Sequence, residues 1–127
     1  MERLHRIADD FEATIRILPE SEGGRRTSPC NGIRWDFVYA ADHAEASYYM
    51  IFPDFHAPDG TSFPPDVPLP IGVELPARMT VIVDEMREKV HRARIAVGTA
   101  FYCCEGPRRV ASGRVTRVTG LFDARDQ

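Results

Sequence analysis

Apolar and polar residues alternate along several short stretches of this chain, which is the period of a strand with one buried face. In the first stretch the apolar positions are Phe11, Ala13, Ile15 and Ile17, and the pattern ends before Pro19. Further β-prone stretches predict strands at residues 33–40, 47–52, 79–83, 90–97, 99–104 and 109–119. About six antiparallel strands without long helices between them favour an all-β protein, either a small closed barrel or a sandwich.

The segments between these strands carry weaker signals. Residues 2–9 have helical spacing of apolar positions and predict a short helix, while residues 84–89 predict a turn or a helical tip. Residues 53–76 contain seven prolines, which cannot donate to a β-ladder, so a loop is predicted there. We expect one barrel domain at residues 11–120, a short extension at residues 1–10 and a tail at residues 121–127.

Charge and cysteine content narrow the classes of partner and compartment. The formal net charge is −3, with an acidic first part and a more basic second part, so the totals show no basic footprint for nucleic acid. Three cysteines, of which Cys103 and Cys104 are adjacent, do not suggest a disulfide framework. The sequence shows neither a signal-peptide pattern nor eighteen consecutive apolar residues, so we expect a cytoplasmic protein without a membrane partner.

A connection rich in hydrogen-bond donors lies between the first two strands and reads EGGRRTSPCNGIRWDF over residues 22–37. Its glycines can take backbone angles that are closed to other residues. Between them, Arg25, Arg26 and Thr27 offer donors, and none of these side chains can act as a general base. An arginine pair can bind phosphate oxygens, although an exposed pair is more often part of a solvated loop. This stretch therefore predicts a contact surface rather than a reaction centre.

Catalytic motifs are missing: the sequence contains no phosphate-binding loop, no dinucleotide fingerprint, no nucleophile elbow and no HExxH. A thiol enzyme acting through Cys104 or Cys30 is a less favoured alternative, because the sequence places no base or cation beside either thiol. Asp54, His56 and Asp59 could hold a divalent ion, but without a visible fourth ligand they are better explained as polar loop residues. For five aromatic residues of this region, core packing is a better explanation than base stacking. These residues are Tyr48, Tyr49, Phe52, Phe55 and Phe63.

Two blocks of sequence resemble the third domain of bacterial elongation factor Tu. The family reads FEAEVYVL and then GGRHTPFFxGYRPQFYFR, and this chain reads FEATIRIL and then GGRRTSPCNGIRWDFVYA. Later the family reads GLRFAIREGGRTVGAGVV, against GTAFYCCEGPRRVASGRV at residues 98–115, and residues 79–81 match the MTV of the preceding strand. The positions shared in the first loop and strand are Gly23, Gly24, Arg25, Thr27, Gly32, Arg34 and Phe37.

The resemblance implies a six-stranded antiparallel Greek-key barrel. In the family this domain is non-catalytic, because the nucleotide site lies in a separate domain, so no GTPase activity and no cofactor are expected here. The family's domain binds the T-stem backbone of aminoacyl-tRNA, packs on the nucleotide domain and contacts the exchange factor. Its tRNA surface would correspond to Arg25 and Arg26 in the loop and to the turn at residues 104–107.

Several positions of that surface differ from the family. Cys104 stands where the family has the arginine of the turn, and Asp36 replaces a glutamine, so the affinity for a phosphate backbone is expected to be weaker. Arg26 stands where the family has a histidine, and this change is expected to strengthen the affinity for a phosphate backbone. We therefore expect a non-catalytic, translation-related or protein-binding accessory domain. Its predicted contact residues are Arg25, Arg26, Thr27, Asp36, Glu105 and Gly106.

The sequence favours a protein partner over tRNA or RNA. The proline-rich stretch at residues 53–76 offers apolar contact area of the kind that protein interfaces use. Residual binding of a tRNA or RNA backbone through Arg25 and Arg26 is the alternative, and it predicts an affinity that falls with added salt.

Overall fold

The computed structural model describes residues 7–42 and 47–125. Its six strands are β1 (Phe11–Ile17), β2 (Trp35–Tyr39), β3 (Tyr49–Phe55), β4 (Glu74–Val81), β5 (Ala100–Glu105) and β6 (Arg108–Val118). A single 3-10 turn, Glu20–Glu22, follows β1. The helical segment at residues 84–94 connects β4 to β5 and consists of Asp84–Met86, a π-helical turn at Arg87–His91, and Arg92–Arg94.

The strands form one closed antiparallel sheet in the order β1-β4-β3-β2-β5-β6, and β6 pairs with β1 to close it. Strands β2, β3 and β4 are neighbours in sequence order, while the long connection between β1 and β2 allows β1 to lie beside β4. This is a Greek-key arrangement. Closure gives each of the six strands two hydrogen-bonded neighbours, so none of them presents a free edge. The predicted all-β fold with a six-stranded antiparallel Greek-key barrel is confirmed.

The barrel interior is filled by the alternating apolar side chains. The rings of Phe37 and Phe101 stack with their centroids 4.6 Å apart, and Phe11 packs edge-on against both. Gly113 makes room for this cluster, because a Cβ at that position would lie 2.5 Å from the ring of Phe101. The apolar positions predicted on β1 are therefore buried, and Trp35, Phe37 and Tyr39 of β2 complete this part of the core.

The antiparallel order sorts the connections between strands into two ends of the barrel. The loop end carries residues 18–34, residues 56–73 and the turn at residues 106–107, which follow β1, β3 and β5. The helical end carries the helical segment, the start of β1 and the residues that follow β6. The donor-rich loop and the turn at residues 104–107, which together form the predicted contact surface, thus lie at the same end.

A buried ion-pair cluster closes the helical end. Asp10 is fully buried, and its Oδ1 accepts a hydrogen bond from Arg87 Nε at 2.7 Å. Its Oδ2 accepts from Arg125 Nη2 and from the Val81 amide, each at 2.7 Å. Arg87 also donates to three main-chain carbonyl oxygens within residues 120–123. The charge of Asp10 is therefore compensated where water is excluded, and the cluster joins β1, the helical segment and the chain after β6.

One predicted strand is wrong. Residues 90–97 form no strand, because the helical segment continues to Arg94. The buried side chains here are Arg87, His91 and Ile95, which recur every four residues along one helical face. Two of these three are polar and find partners inside the protein, as with the 2.6 Å hydrogen bond between His91 Nδ1 and the Tyr39 hydroxyl. A reading based on apolar alternation could not detect a buried face made in part of arginine and histidine.

The bounds of other elements also differ from the prediction. Strand β3 continues through Pro53, and β4 begins before Pro76, so the loop predicted at residues 53–76 covers residues 56–73. The strand predicted at residues 47–52 is β3. Of the helix predicted at residues 2–9, residues 1–6 lie outside the described chain, and residues 7–9 are not helical.

Candidate binding surface at the loop end

Two glycines shape the start of the donor-rich loop. The 3-10 turn ends at Gly23, whose φ of 93° is unfavourable for residues with a side chain. Gly24 is buried, and a Cβ there would lie 2.0 Å from the carbonyl oxygen of Leu18. The pair folds the chain back onto the end of β1, which sets the direction in which the following arginines leave the barrel.

Arg25 joins this loop to the turn between β5 and β6. Its Nε lies 3.2 Å from Glu105 Oε2, and the same oxygen accepts a hydrogen bond from Trp35 Nε1 at 2.9 Å. The Arg25 side chain is 26% exposed, and within the described chain its Nη1 is buried without an acceptor. Two predicted site residues from distant parts of the sequence are therefore in contact. The contact also means that the charge of Arg25 is already balanced inside the protein.

The turn itself is a tight hairpin. Glu105 pairs with Arg108, and the two residues between them are Gly106, with φ of 59°, and Pro107. Proline cannot take a positive φ, so glycine at the first central position and proline at the second correspond to a type II′ turn. Gly106 thus has a conformational role that presents Glu105 toward Arg25.

The other predicted contact residues occupy separate positions on this end. Arg26 and Thr27 are exposed, and the Nε of Arg26 lies 3.4 Å from a carboxylate oxygen of Glu20. Asp36 is half-buried in β2, where it faces Cys104 across the β2–β5 pair. The structure therefore brings Arg25, Glu105 and Gly106 together. It leaves Arg26 and Thr27 free to face solvent and places Asp36 beside the turn.

A shallow depression of 370 Å³ lies on this surface. Its lining residues are Glu20, Gly23, Gly24, Arg26 and Arg108. Arg108, which the sequence interpretation did not select, is exposed and follows the type II′ turn directly. The depression therefore combines two arginines and one carboxylate with two glycines.

Asn31 is the residue of this surface that the sequence interpretation missed. It is 4% exposed, and its Oδ1 accepts a hydrogen bond from the Phe55 amide at 2.9 Å. Its Nδ2 lies 3.0 Å from Asp54 Oδ1, 3.0 Å from the Phe55 carbonyl and 2.9 Å from the Phe63 carbonyl. One side chain thus fastens the donor-rich loop to the end of β3 and to the proline-rich loop. The sequence places an asparagine before Gly32, and this pair does not by itself indicate a buried side chain.

Asp54, one of the three residues considered for a metal site, belongs to this same network. Asp54 is buried, and its Oδ2 accepts from Ser62 Oγ at 2.9 Å and from Arg78 Nη2 at 3.3 Å. Asp59 accepts from the Thr61 amide at 2.9 Å, which lowers its pKa. Within the described ranges, no group of three His, Cys, Asp or Glu side chains is arranged to hold a metal ion. These residues therefore support the loop that contains them.

The proline-rich loop is attached to the donor-rich loop along its second half. Cys30 and Pro68 form an antiparallel bridge, and the Leu69 amide donates to the Pro29 carbonyl at 2.8 Å. Leu69 is 2% exposed and packs into the core cluster. The two loops therefore form one continuous surface, and its exposed apolar residues are Pro58, Pro64, Pro65, Val67, Pro68, Pro70 and Val73.

The thiols and aromatic residues named as alternatives lie in less suitable places. Burial raises the pKa of Cys104, which disfavours the thiolate that a nucleophile requires. Cys30, the other thiol considered, is half-buried and bridges Pro68. Of the five aromatic residues considered for base stacking, Phe55 is fully buried and Tyr48 alone is exposed. Tyr48 precedes β3 and therefore lies at the helical end, away from the arginines of the loop.

No protein-family model matches this chain. The resemblance to the third domain of elongation factor Tu rests on the two sequence blocks given above. Among the residues that the structure describes, no helix has the length and apolar character needed to cross a membrane.

Proposed function

We propose that this chain is a non-catalytic binding module of the elongation factor Tu third-domain kind, and that it docks on a protein partner through the loop end. The observation that carries the proposal is the shared surface of the two loops. Its apolar residues are exposed on a scaffold that buried hydrogen bonds and the Leu69 anchor hold in place. A rigid apolar surface of this kind is typical of protein interfaces.

Electrostatics supports a protein partner over a nucleic acid. Arg25 is neutralised by Glu105, so it contributes little to the attraction of a phosphate backbone. Arg26 remains exposed but has Glu20 beside it, and Asp36 adds a further carboxylate near the turn. Only Arg26 and Arg108 are then available for phosphate contacts at the depression. Two such contacts predict a loss of affinity of about tenfold between about 50 and 200 mM salt, far less than in proteins with six or more contacts.

Binding of an RNA backbone is the second candidate, and the depression is the observation in its favour. Arg26 and Arg108 both line it, together with Gly23 and Gly24. The resemblance to elongation factor Tu implies a tRNA contact at the same loop and turn. Replacing both arginines by alanine would remove this binding, whereas a protein interface centred on the proline-rich loop would retain most of its affinity.

Affinity capture with matched variants tests the proposal. The intact chain is immobilised and exposed to native lysate with and without nuclease, alongside the variants Val73→Asp and Val97→Asp. Both valines are exposed, by 50% and 71%, but Val73 lies at the loop end and Val97 at the helical end. We expect a protein that is retained after nuclease treatment, is lost with Val73→Asp and is kept with Val97→Asp.

Two other outcomes would contradict a protein partner at the loop end. Loss of all bound material on nuclease treatment, together with its loss in the Arg26→Ala and Arg108→Ala double variant, would establish the RNA candidate. Equal capture by the Val73→Asp and Val97→Asp variants would place the interface elsewhere on the barrel. Purified partner and chain, titrated by calorimetry, then give the affinity directly.

A further inference from the structure

The most exposed part of the proline-rich loop is a short segment, residues 64–70, here called the proline ridge. Four of its seven residues are proline, and Pro64, Pro65, Val67, Pro68 and Pro70 are all exposed. We propose that the proline ridge docks into an aromatic-lined groove of a partner protein, of the kind that recognises preformed proline-rich segments. This inference rests on the proposed function and names the class of partner.

Backbone conformation in the ridge is largely dictated by its prolines. Proline fixes its own φ near −65°, and the residue before a proline is restricted to extended or polyproline II conformations. Asp66 is the only residue of the ridge that neither is a proline nor precedes one. A turn at Pro65 and Asp66 and a bend at Val67 are followed by Pro68, which bridges Cys30. The ridge therefore presents proline rings on a stiff backbone.

The ridge offers hydrogen-bond acceptors and almost no donors. Its four prolines have no N–H, the Val67 amide donates to the Pro64 carbonyl at 3.3 Å, and the Leu69 amide donates to the Pro29 carbonyl at 2.8 Å. Within the described chain, Asp66 then supplies the only backbone N–H of the ridge without an acceptor. A partner strand could not extend a β-ladder along such a segment, because a ladder needs donors on both strands. A groove lined by tryptophan and tyrosine supplies donors and apolar faces together.

The ridge is also held in place before any partner arrives. Leu69 is buried in the core, the Cys30–Pro68 bridge ties the ridge to the donor-rich loop, and Asn31 donates to the carbonyl of Phe63 just before it. Docking would therefore cost little conformational entropy, which is the advantage that preformed proline-rich ligands have over flexible ones. Asp66 is the only charged residue of the ridge and fits a groove with a basic residue at its rim.

The probe for this inference is a panel of purified SH3, WW and EVH1 domains, which carry aromatic proline-binding grooves. Each domain is titrated onto the intact chain labelled with ¹³C and ¹⁵N, because carbon-detected shifts report prolines that have no amide signal. We expect at least one domain to bind saturably, with shift changes centred on residues 64–70. The double variant Pro65→Ala and Pro68→Ala should weaken that binding by at least about tenfold.

Pro58→Ala is the matched control, because Pro58 is exposed in the same loop but lies outside the ridge. It should bind the domain as the unaltered chain does. Val67→Ser provides a second test that keeps every proline, so it does not depend on whether the double variant alters the loop. This variant should also weaken binding. Thermal melts of each variant confirm that the barrel is intact.

The ridge inference and the proposed function can fail separately. If no domain of the panel binds, or if shift changes map outside residues 64–70, the ridge inference is overturned. It is also overturned if the partner captured from lysate is lost with Val73→Asp yet binds the Pro65→Ala and Pro68→Ala variant normally. In that last case the loop end remains a protein-binding surface. Absence of any captured partner would count against the proposed function alone.

Discussion

Asn31 is the residue whose replacement most directly tests how the loop end is assembled. Alanine at this position removes the amide that connects the donor-rich loop to β3 and to the proline-rich loop. The site is 4% exposed, so water cannot readily replace the lost partners. The Phe55 amide and the Phe63 carbonyl would lose their hydrogen bonds to Asn31, whereas the Phe55 carbonyl would still accept from the Phe63 amide.

The expected cost follows from the number of hydrogen bonds that the amide can make. The Nδ2 group has two hydrogens and three acceptors within 3.0 Å, so it contributes two full bonds, one of which can go to the carboxylate of Asp54. The Oδ1 atom contributes a third bond, accepted from the Phe55 amide. Two neutral bonds and one bond to a charged group sum to about 3 kcal/mol of unfolding free energy. For a domain of this size the melting temperature should fall by about 10 °C.

Urea unfolding followed by tryptophan fluorescence measures this cost, because Trp35 lies in the core at the loop end. Ser28→Ala is the control: Ser28 is exposed in the same loop, so its loss should change the unfolding free energy by less than about 0.5 kcal/mol. The m-value should stay the same for both variants. If Asn31→Ala were no more destabilising than Ser28→Ala, the idea that Asn31 anchors the loops would be refuted. Faster exchange of the Phe55 amide in Asn31→Ala would locate the effect.

Two further predictions concern the helical end. Arg87→Met should lower the free energy of unfolding by about 3 kcal/mol, because it removes a partner of buried Asp10. Lys89→Met breaks an exposed ion pair and should lower it by less than about 1 kcal/mol. Equal losses of the two variants in urea unfolding would contradict this prediction. Burial lowers the pKa of His91 to about 4 from 6.5. As the pH falls, His91 is therefore protonated in the unfolded chain before it is protonated in the folded chain. The free energy of unfolding should keep its full value above pH 6.5 and decrease by about 3 kcal/mol as the pH drops to 4. His91→Gln should reduce this slope, and an unchanged slope would show that His91 is not its source.

The strands could be predicted from the sequence because their burial follows the simple rule of alternation. On β1 the buried and half-buried positions alternate without exception, and the aromatic residues of β2 point into the core. Gly113, by contrast, lies in the second block that resembles the family, and alternation does not predict a glycine there. The structure explains it, because a Cβ at this position would collide with the ring of Phe101. Local pattern thus predicted the elements, and the family resemblance predicted their Greek-key order.

The helical segment and the loop network could not be predicted in the same way. Arg87 and His91 are buried because Asp10 and Tyr39 supply partners from distant parts of the chain. Asn31 is buried for the same reason, through contacts more than twenty residues away. A polar residue is stable in the interior only when its hydrogen bonds are satisfied, and the sequence does not reveal which groups will meet. These sites are therefore the ones where pattern reasoning fails.

The contact between Arg25 and Glu105 changes what the shared motif signifies. The residues of the GGR motif carry the resemblance to elongation factor Tu, and their arginine was expected to face a ligand. Here that arginine lies against Glu105, whose carboxylate also accepts from Trp35 at the start of β2. The motif therefore joins the first loop to the last hairpin and helps to close the loop end of the barrel. A chain can keep such a motif for its fold while its ligand changes. The exposed residues around the motif, above all the proline ridge, are therefore the basis on which a partner is proposed.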